Sequence, residues 1–433
     1  MHTPLFVILA GGEGKRFAPF ITNKTIFPFC HKPLIQHQLE QLARVGVERV
    51  LVATGADNQA LIAALHIPGL TIQTKQQATP RGMADALLQL APIIGNQPIV
   101  VMNAVDLVAD ELYVQLLNKI AQQQPYGIIT GMTAPAGFVG GYLQLETSAG
   151  GQEVVRAIVE KPAAGAEPSD VVNLVYHYFS QPTEFFDRLA AGQNQSGEAD
   201  DVYEQALSTL LTDHDFAALR YHDYWQKLKY PHYVLDVMQL FLEKRLTSYR
   251  APSAQISPQA VIEGTVYIDE DVQIEAGAII KGPVYLGPRT VVSNHCLVRQ
   301  AMIEADVVTG FGSEIARSYV GPGCALHHNF IGDSVLEARI NPSYGTVTTN
   351  FRLDKQTVTL KLPDQNVPTT RTKLGALIAA DVFCGVQTIF LPGVTVGAGA
   401  HIYPQTVVHR AVPAGAVYKS RQTQTMELAG QPL

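Results

Sequence analysis

The sequence predicts an α/β domain followed by a parallel β-helix, with the change near residue 250. Two periodicities carry this expectation. Up to about residue 105 short apolar runs alternate with amphipathic segments, whereas beyond residue 250 aliphatic side chains recur at every sixth position. Strands alternating with helices imply βαβ units and a mostly parallel sheet. A strict hexapeptide period belongs to stacked coils of a β-helix.

In the first region Leu5 to Ala10, Arg49 to Thr54, Leu70 to Thr74 and Ile99 to Met102 read as strands, because each is a short apolar run of mainly branched residues. Pro33 to Val45, Asp57 to Leu65 and Gly82 to Leu90 read as helices. In the first of these, Ile35, Leu39, Leu42 and Val45 fall at helical spacing. Ligands of such sheets sit beyond the carboxyl ends of the strands, so the loop after the first strand is the first place to expect chemistry. A helix is expected over Tyr233 to Arg245, where Val234, Val237, Met238 and Phe241 form one stripe.

From Ile256 through Ile262, Ile268, Ile274, Ile280, Leu286 and Val292 to Val298 the spacing is six without a slip. An α-helix has no such period, and a β-sandwich would show turns at roughly every 8 to 12 residues. The pattern resumes in a new register at Ile378, Cys384, Phe390, Val396, Ile402 and Val408. Between residues 303 and 377 irregular coils and a protruding loop are expected. The expected organisation is therefore a first domain at 1–230, a linker helix at 231–250, a β-helix at 251–420 and a C-terminal tail at 421–433.

Composition narrows the function. The 433 residues include 31 Lys and Arg against 38 Asp and Glu, for a formal charge of −7, with 47% hydrophobic and 16% charged side chains. That describes a core-rich chain without the basic stripe a phosphate backbone needs, so nucleic-acid binding is not expected. The start Met1-His2-Thr3-Pro4 lacks the basic region of a signal peptide, and no apolar run nears the length of a membrane span. Cys30, Cys296, Cys324 and Cys384 stand far apart with no C-x-x-C pair, which suits reduced thiols and no structural zinc. A cytoplasmic protein with no membrane partner is expected.

The first strand-to-helix loop reads LAGGEGKRFAPF. Its glycines let the backbone approach a polyphosphate, while Lys15 and Arg16 supply charge. It is not a P-loop, since Arg16 stands where Ser or Thr would be needed, nor a dinucleotide fingerprint, since Phe17 stands where a third glycine belongs. On its residues alone the loop is either a phosphate cradle or an ordinary glycine turn. Asp106, just after the strand at Ile99 to Met102, is placed either to hold Mg²⁺ or to serve as a turn residue.

With NKTIFPFCHKPLI behind it, this loop resembles the signature of the sugar-1-phosphate nucleotidylyltransferases. The likeness continues through Gln77 and Gly82, Val105-Asp106, Gly140-Gly141-Tyr142, Glu160-Lys161-Pro162, Asn173 and the segment from Trp225 to Pro231, covering residues 5 to 245. Together with the repeats, the whole chain is similar to the two-headed bacterial and archaeal enzymes that acetylate glucosamine-1-phosphate and uridylylate the product. The resemblance implies a Rossmann-like nucleotidylyltransferase domain followed by a left-handed parallel β-helix. It implies that Arg16 and Lys24 are catalytic, that Asp106 is catalytic and holds Mg²⁺, and that Gly11, Gly12, Gln77 and Gly82 bind the nucleoside triphosphate. Gln77 and Gly82 suit the amide edge of a pyrimidine, which favours UTP or dTTP over GTP, with UTP the preferred expectation. Glu160, Lys161 and Asn173 would bind the sugar-1-phosphate. One departure bears on the metal: Lys227 in WQKLKYP stands where the family has a second metal-binding carboxylate or amide.

The stretch LHHNFIGDSVLEARINPSYGTVTTNF resembles the acetyltransferase motif of the same enzymes. The resemblance makes His327 the base, five residues before Gly332-Asp333, and assigns substrate contacts to Asn341, Asn350 and Arg299. A histidine, with a reference pKa of about 6.5, suits removal of a proton from an attacking amine. Without the motif, a lone histidine in such a coil is more often a structural residue. Ser343-Tyr344 replace the family's Gly-Ala, and Ala316 stands where a phosphate-binding lysine is common. Acetyl-CoA would lie along Leu374 to Gly385 and Val396 to Pro404, and a homotrimer is implied. Two other readings stay open: a degraded regulatory or binding subunit, and a nucleotidylyltransferase whose β-helix only trimerises.

Overall fold

The computed structural model describes residues 3–134, 138–148, 150–196, 201–362 and 365–420, so the expected tail at 421–433 lies outside the described residues. The chain divides into two compact units. One holds the chain up to Gly14, Asn23–Phe27 and Lys32–Lys227; the other holds Lys15–Thr22, Pro28–His31 and the chain from Leu228 onward.

The first unit is built on strand β1 (Leu5–Ala10), flanked in parallel by β2 (Arg49–Thr54) and β4 (Ile99–Asn103), with β3 (Thr71–Gln76) parallel to β2. Phe6 and Ile8 enter one apolar cluster, and Leu5 and Val7 enter another. Both faces of β1 are thus covered, which is why its sequence is continuously apolar instead of alternating. Helix α1 (Leu34–Arg44) puts Ile35, Leu39 and Leu42 on the first face, and α2 (Gly82–Ile94) puts Leu87, Leu90 and Ile94 on the second. Helix α3 (Asp110–Gln123), which follows the short strand β5 (Asp106–Val108), adds Leu112 and Leu116 to the first face.

The expectation of a mostly parallel sheet holds only for these first strands. Strand β9 (Val171–Phe179) runs antiparallel to β4 and to β6 (Gly127–Thr133), while β7 (Gly141–Thr147) and β8 (Glu153–Glu160) form an antiparallel pair at the far edge. After helices α4 (Thr183–Ser196) and α5 (Val202–Asp213), strand β10 (Phe216–Tyr221) inserts parallel to β6 and completes a nine-stranded mixed sheet. The cause is local. Only five residues separate β7 from β8, too few for the crossover that a parallel pair needs.

In the second unit, helix α6 (Tyr233–Leu240) passes into a π-helical turn at Phe241–Arg245, together spanning the expected helix. From Tyr249 the chain forms short parallel strands stacked coil on coil in four sheets, of eight, three, eight and four strands. The hexapeptide positions are the core: Ile268, Ile274, Ile280, Leu286, Val292 and Val298 are all buried in one cluster. Ile280 pairs with Val298, 18 residues on. The next partner of Val298 is Ile315, after 17 residues, and Ile331 follows after only 16. These shortened coils are the irregularity expected beyond residue 303. The protruding loop is a hairpin, Thr359–Leu362 paired antiparallel with Gln365–Pro368, inserted where Val347 pairs with Ile389. Among the described residues no helix is long and apolar enough to cross a membrane.

Candidate functional site

In the first unit the glycine loop leaves β1 at its carboxyl end. A Cβ on Gly11 would lie 2.5 Å from Oε1 of Gln77, so a side chain here would have to displace the Gln77 amide. Gln77 is buried just after β3, and its amide nitrogen donates to Asp85 Oδ2 at 2.6 Å and to the Gly82 carbonyl at 3.4 Å. That fixes the amide and leaves its oxygen toward Gly11. Gly82 opens α2 with φ +91°, a conformation few side chains tolerate. Gly11, Gln77 and Gly82 are therefore brought together, as the resemblance implies. At Gly12 a Cβ would meet no other group within 4 Å, so its backbone is open to a ligand.

Two asparagines to which the sequence assigned no role shape this loop. Asn23 donates to the Gly12 carbonyl at 3.3 Å and to Asp57 Oδ2 at 2.8 Å, while its oxygen accepts from the Thr25 backbone N–H and hydroxyl. Asn58, wholly buried, donates to the Ala10 carbonyl at 2.8 Å and accepts from Gly55 N–H at 2.9 Å. Their only signal in the sequence is an amide residue just after a strand or turn. Lys15 and Arg16 form a 3₁₀ turn with Phe17 and belong to the second unit, with exposed side chains.

Asp106 opens β5, which pairs antiparallel with β11 (Trp225–Lys227) and so sets Lys227 directly opposite it. The carboxylate is 6% exposed, with Asn103 Nδ2 at 3.4 Å from Oδ2. Its backbone oxygen is held by Gln38 Nε2 at 2.6 Å and by the Tyr176 hydroxyl at 3.0 Å. Burial pushes the Asp106 carboxyl above the usual carboxylate range, against the Asn103 amide and the charges of Lys227 and Lys24. Burial likewise pushes the Lys227 ammonium down, against the attraction of Asp106. Lys227 Nζ lies 4.9 Å from the Phe138 ring centre and 5.0 Å from that of Trp225.

This donor set bears on magnesium. No cluster of three or more His, Cys, Asp or Glu side chains is found among the described residues. One buried carboxylate facing an ammonium does not make a preformed metal cage. It fits an Mg²⁺ that arrives on a triphosphate and takes a single protein carboxylate.

Along the antiparallel edge, Lys161 has φ +46° and donates its backbone N–H to the Gly140 carbonyl at 3.0 Å. A Cβ on Gly141 would meet Glu160 Oε1 at 2.4 Å, so Glu160 packs over this glycine. Asn173 Oδ1 lies 2.9 Å from His177 Nε2, and His177 Nδ1 lies 2.7 Å from the Tyr203 hydroxyl. Burial pushes the His177 imidazole down to about 3, so the ring is neutral. The Asn173 oxygen beside Nε2 then requires the Nε2–H tautomer, with Nδ1 accepting from Tyr203. His177 and Tyr203 thus fix the amide of Asn173, a role no motif announces.

In the second unit His327 is exposed; its backbone N–H donates to Asn329 Oδ1 at 2.6 Å, and its ring makes no hydrogen bond among the described residues. Asn350 Nδ2 donates to Asp333 Oδ2 at 2.5 Å, and Arg317 clasps both oxygens of the same carboxylate at 2.8 and 2.7 Å. Arg299 pairs with Glu314 at 2.7 Å, in register two coils before Gly332. Asn341 stands in the strand Asn341–Pro342. The structure thus joins Asn350 to Asp333 and Arg317, the last unforeseen, while Arg299 keeps a separate partner. His328 stacks on Tyr344 at 5.2 Å between ring centres.

Known proteins resemble this chain in sequence along most of its length and in fold over part of it. The family model described as nucleotidyl transferase matches residues 5–228, just over half of the chain. The chain is 27% identical over 422 residues to the bifunctional sugar-1-phosphate nucleotidylyltransferase/acetyltransferase of Sulfurisphaera tokodaii, covering 95% of this chain and 99% of that protein. It is 25% identical to the bifunctional protein GlmU of Methanococcus maripaludis, covering 95% and 97%. With the protein of the same name from Paraburkholderia phytofirmans the identity is 26%, covering 97% and 96%. Among solved structures, an apo UDP-glucose pyrophosphorylase matches with TM-score 0.50 and 20% identity over 57% of this chain and 100% of its own, a likeness of fold. The glycine loop closed on Gln77 and Gly82 is thus found in a chain that belongs to the nucleotidyl transferase family.

Proposed function

We propose that the chain is a bifunctional enzyme that makes a nucleotide sugar. At the first head an oxygen of a sugar-1-phosphate attacks the α-phosphorus of a nucleoside triphosphate, UTP in preference, and the bond to the β-phosphate oxygen breaks to release pyrophosphate. Such a reaction needs charge and position more than covalent help. Arg16 and Lys24 supply positive charge, Gly11 and Gly12 give backbone access to the phosphates, and Gln77 with Gly82 reads the base. Glu160, Lys161 and Asn173 take the sugar phosphate. Asp106 would hold Mg²⁺, which when bound neutralises phosphate oxygens. The observation that carries this reading is the mutual fit of Gly11, Gln77 and Gly82, which leaves the loop backbone bare of side chains.

At the second head, His327 takes a proton from the amine of an amino-sugar-1-phosphate, glucosamine-1-phosphate in preference. The nitrogen bonds to the acetyl carbon of acetyl-CoA, and the CoA thiolate leaves. Arg299, Asn341 and Asn350 hold this substrate. We assign a cytoplasmic homotrimer on the likeness to the two-headed enzymes. Lys227 opposite Asp106 favours a second reading, a chain that keeps its substrate sites and has lost nucleotidyl transfer. Pyrophosphate release from a panel of nucleoside triphosphates against sugar-1-phosphates, with Mg²⁺, separates the two. No release from any pair would leave the second reading standing.

A further inference from the structure

Three consecutive coils of the second unit carry one column of positions just after their strands. Glu304 follows Met302–Ile303, Gly321 follows Tyr319–Val320, and Glu337 follows Val335–Leu336. The middle position is closed to side chains, since a Cβ on Gly321 would fall 1.6 Å from the Glu337 carbonyl oxygen. The two glutamates beside it are 1% and 2% exposed, and neither forms an ion pair among the described residues. Burying a carboxyl group with no cation is costly unless hydrogen bonds replace its water.

Apart from Ala380, their partners are backbone groups about three hundred residues earlier in the chain. Glu337 Oε1 accepts the N–H groups of Ile21 at 3.0 Å and Thr22 at 2.7 Å, while Oε2 accepts Ala380 N–H at 2.9 Å. Glu304 Oε2 accepts His31 N–H at 2.8 Å. On the coil between them, the Tyr319 hydroxyl donates to the Pro28 carbonyl at 2.9 Å, and the Tyr319 ring lies 5.8 Å from that of Phe29. Phe29 in turn stacks on Phe241 at 5.5 Å. Positions 21–22, 28 and 31 are thus met in order by residues 337, 319 and 304. The early segment is gripped by one coil after another, by hydrogen bonds to its main chain and by ring contacts at Phe29.

The gripped stretch Lys15–Thr22 is the part of the glycine loop that carries Lys15 and Arg16. Between Arg16 and the bonds at Ile21 and Thr22, Phe17 and Phe20 are buried with their rings 5.2 Å apart edge to face, so the hold reaches back to the turn at Lys15–Phe17. A loop already ordered in this way does not have to lose conformational freedom when a ligand arrives. We propose that Glu337, Tyr319 and Glu304 are positioning residues for nucleotidyl transfer, Glu337 holding the early segment at Ile21 and Thr22 and Tyr319 with Glu304 holding it at Pro28 and His31, in the shape in which Arg16 acts. This rests on the nucleotidyl-transfer reading above.

Amide hydrogen exchange across residues 15–22 and the kinetics of pyrophosphate release, measured on the full chain, test it with Glu337→Ala and Glu337→Gln. In the alanine variant, exchange in that stretch should quicken at least tenfold and KM for the triphosphate should rise about tenfold, with kcat changed less. The glutamine variant keeps an oxygen that accepts both N–H groups and should restore most of each effect. A folded alanine variant with wild-type exchange, or with loosened exchange and an unchanged KM, overturns the proposal. Should the alanine variant fail to fold, Tyr319→Phe decides, because it removes the bond to Pro28 and keeps the ring; an unchanged KM there overturns it as well. A wild type that releases no pyrophosphate defeats the nucleotidyl reading, and the positioning role with it, and is told apart because exchange in the glutamate variants still reports whether the segment is held.

Discussion

Asp106 and Lys227 face each other across one strand pair, and the charge of each offsets part of the cost of the other's burial. If Asp106 is the group that meets the metal, Asp106→Ala should lower turnover in the pyrophosphate assay by roughly a hundredfold or more. Undiminished turnover in the folded variant would remove the assignment. Lys227→Asp should shift the Mg²⁺ titration of that assay to lower concentration, since a second carboxylate replaces an ammonium; an unmoved titration would show that Lys227 lies off the site. Glu304 gives a pH prediction. Burial raises its carboxyl to about 8, so the folded chain holds a proton there that the unfolded chain releases near 4.5. Its contribution is fully present below the unfolded value and is lost as pH rises through about 8. The thermal midpoint of wild type should therefore fall relative to Glu304→Gln between pH 5 and 8, by roughly 3 °C or more; parallel curves would contradict it. At this scale the sequence was legible where residues belong to a motif. Gly11, Gln77 and Gly82 were legible in that way, whereas Asn58, His177 and Arg317 were not, because no motif joins them to the partners that the fold gives them.

A coil of the β-helix tolerates little error in its interior, and the hexapeptide positions were readable for that reason: Ile274, Ile280 and Leu286 fill one buried column after another. The break after residue 303 was readable only as a break. Loss of one residue from a coil and two from the next shifts the register without changing the composition, so 17- and 16-residue turns look aperiodic in sequence. In the first unit β7 and β8 escaped notice because their outer positions are half-exposed and their pattern is weak, unlike the doubly covered β1. The tightest element-scale constraint is Gly321. Its missing side chain admits the next coil's backbone, so Gly321→Ala should cost about 3 kcal/mol or more in denaturant unfolding, as overpacking against main chain allows little relaxation. Wild-type stability in that variant would mean that the coils can part.

For the whole molecule the question is whether two chemistries share one chain independently. His327 belongs to the second unit and Asp106 to the first. If His327 is the acetyl-transfer base, His327→Ala should reduce thiol release from acetyl-CoA with glucosamine-1-phosphate by roughly 10² to 10⁴-fold while pyrophosphate release stays intact. No acetylation by wild type with any amino-sugar phosphate would return His327 to a structural residue. Glu337, in the same unit, should behave in the opposite way. The hold on residues 21 and 22 by residue 337 also sets an order of events during synthesis. The glycine loop emerges from the ribosome early, yet its backbone partners at Glu304, Tyr319 and Glu337 are translated some three hundred residues later. A contact of such sequence separation closes late. This early stretch of the polypeptide is then among the last parts to be finished: a nascent chain arrested before residue 304 should be cut by trypsin after Lys15 or Arg16 more readily than the released protein.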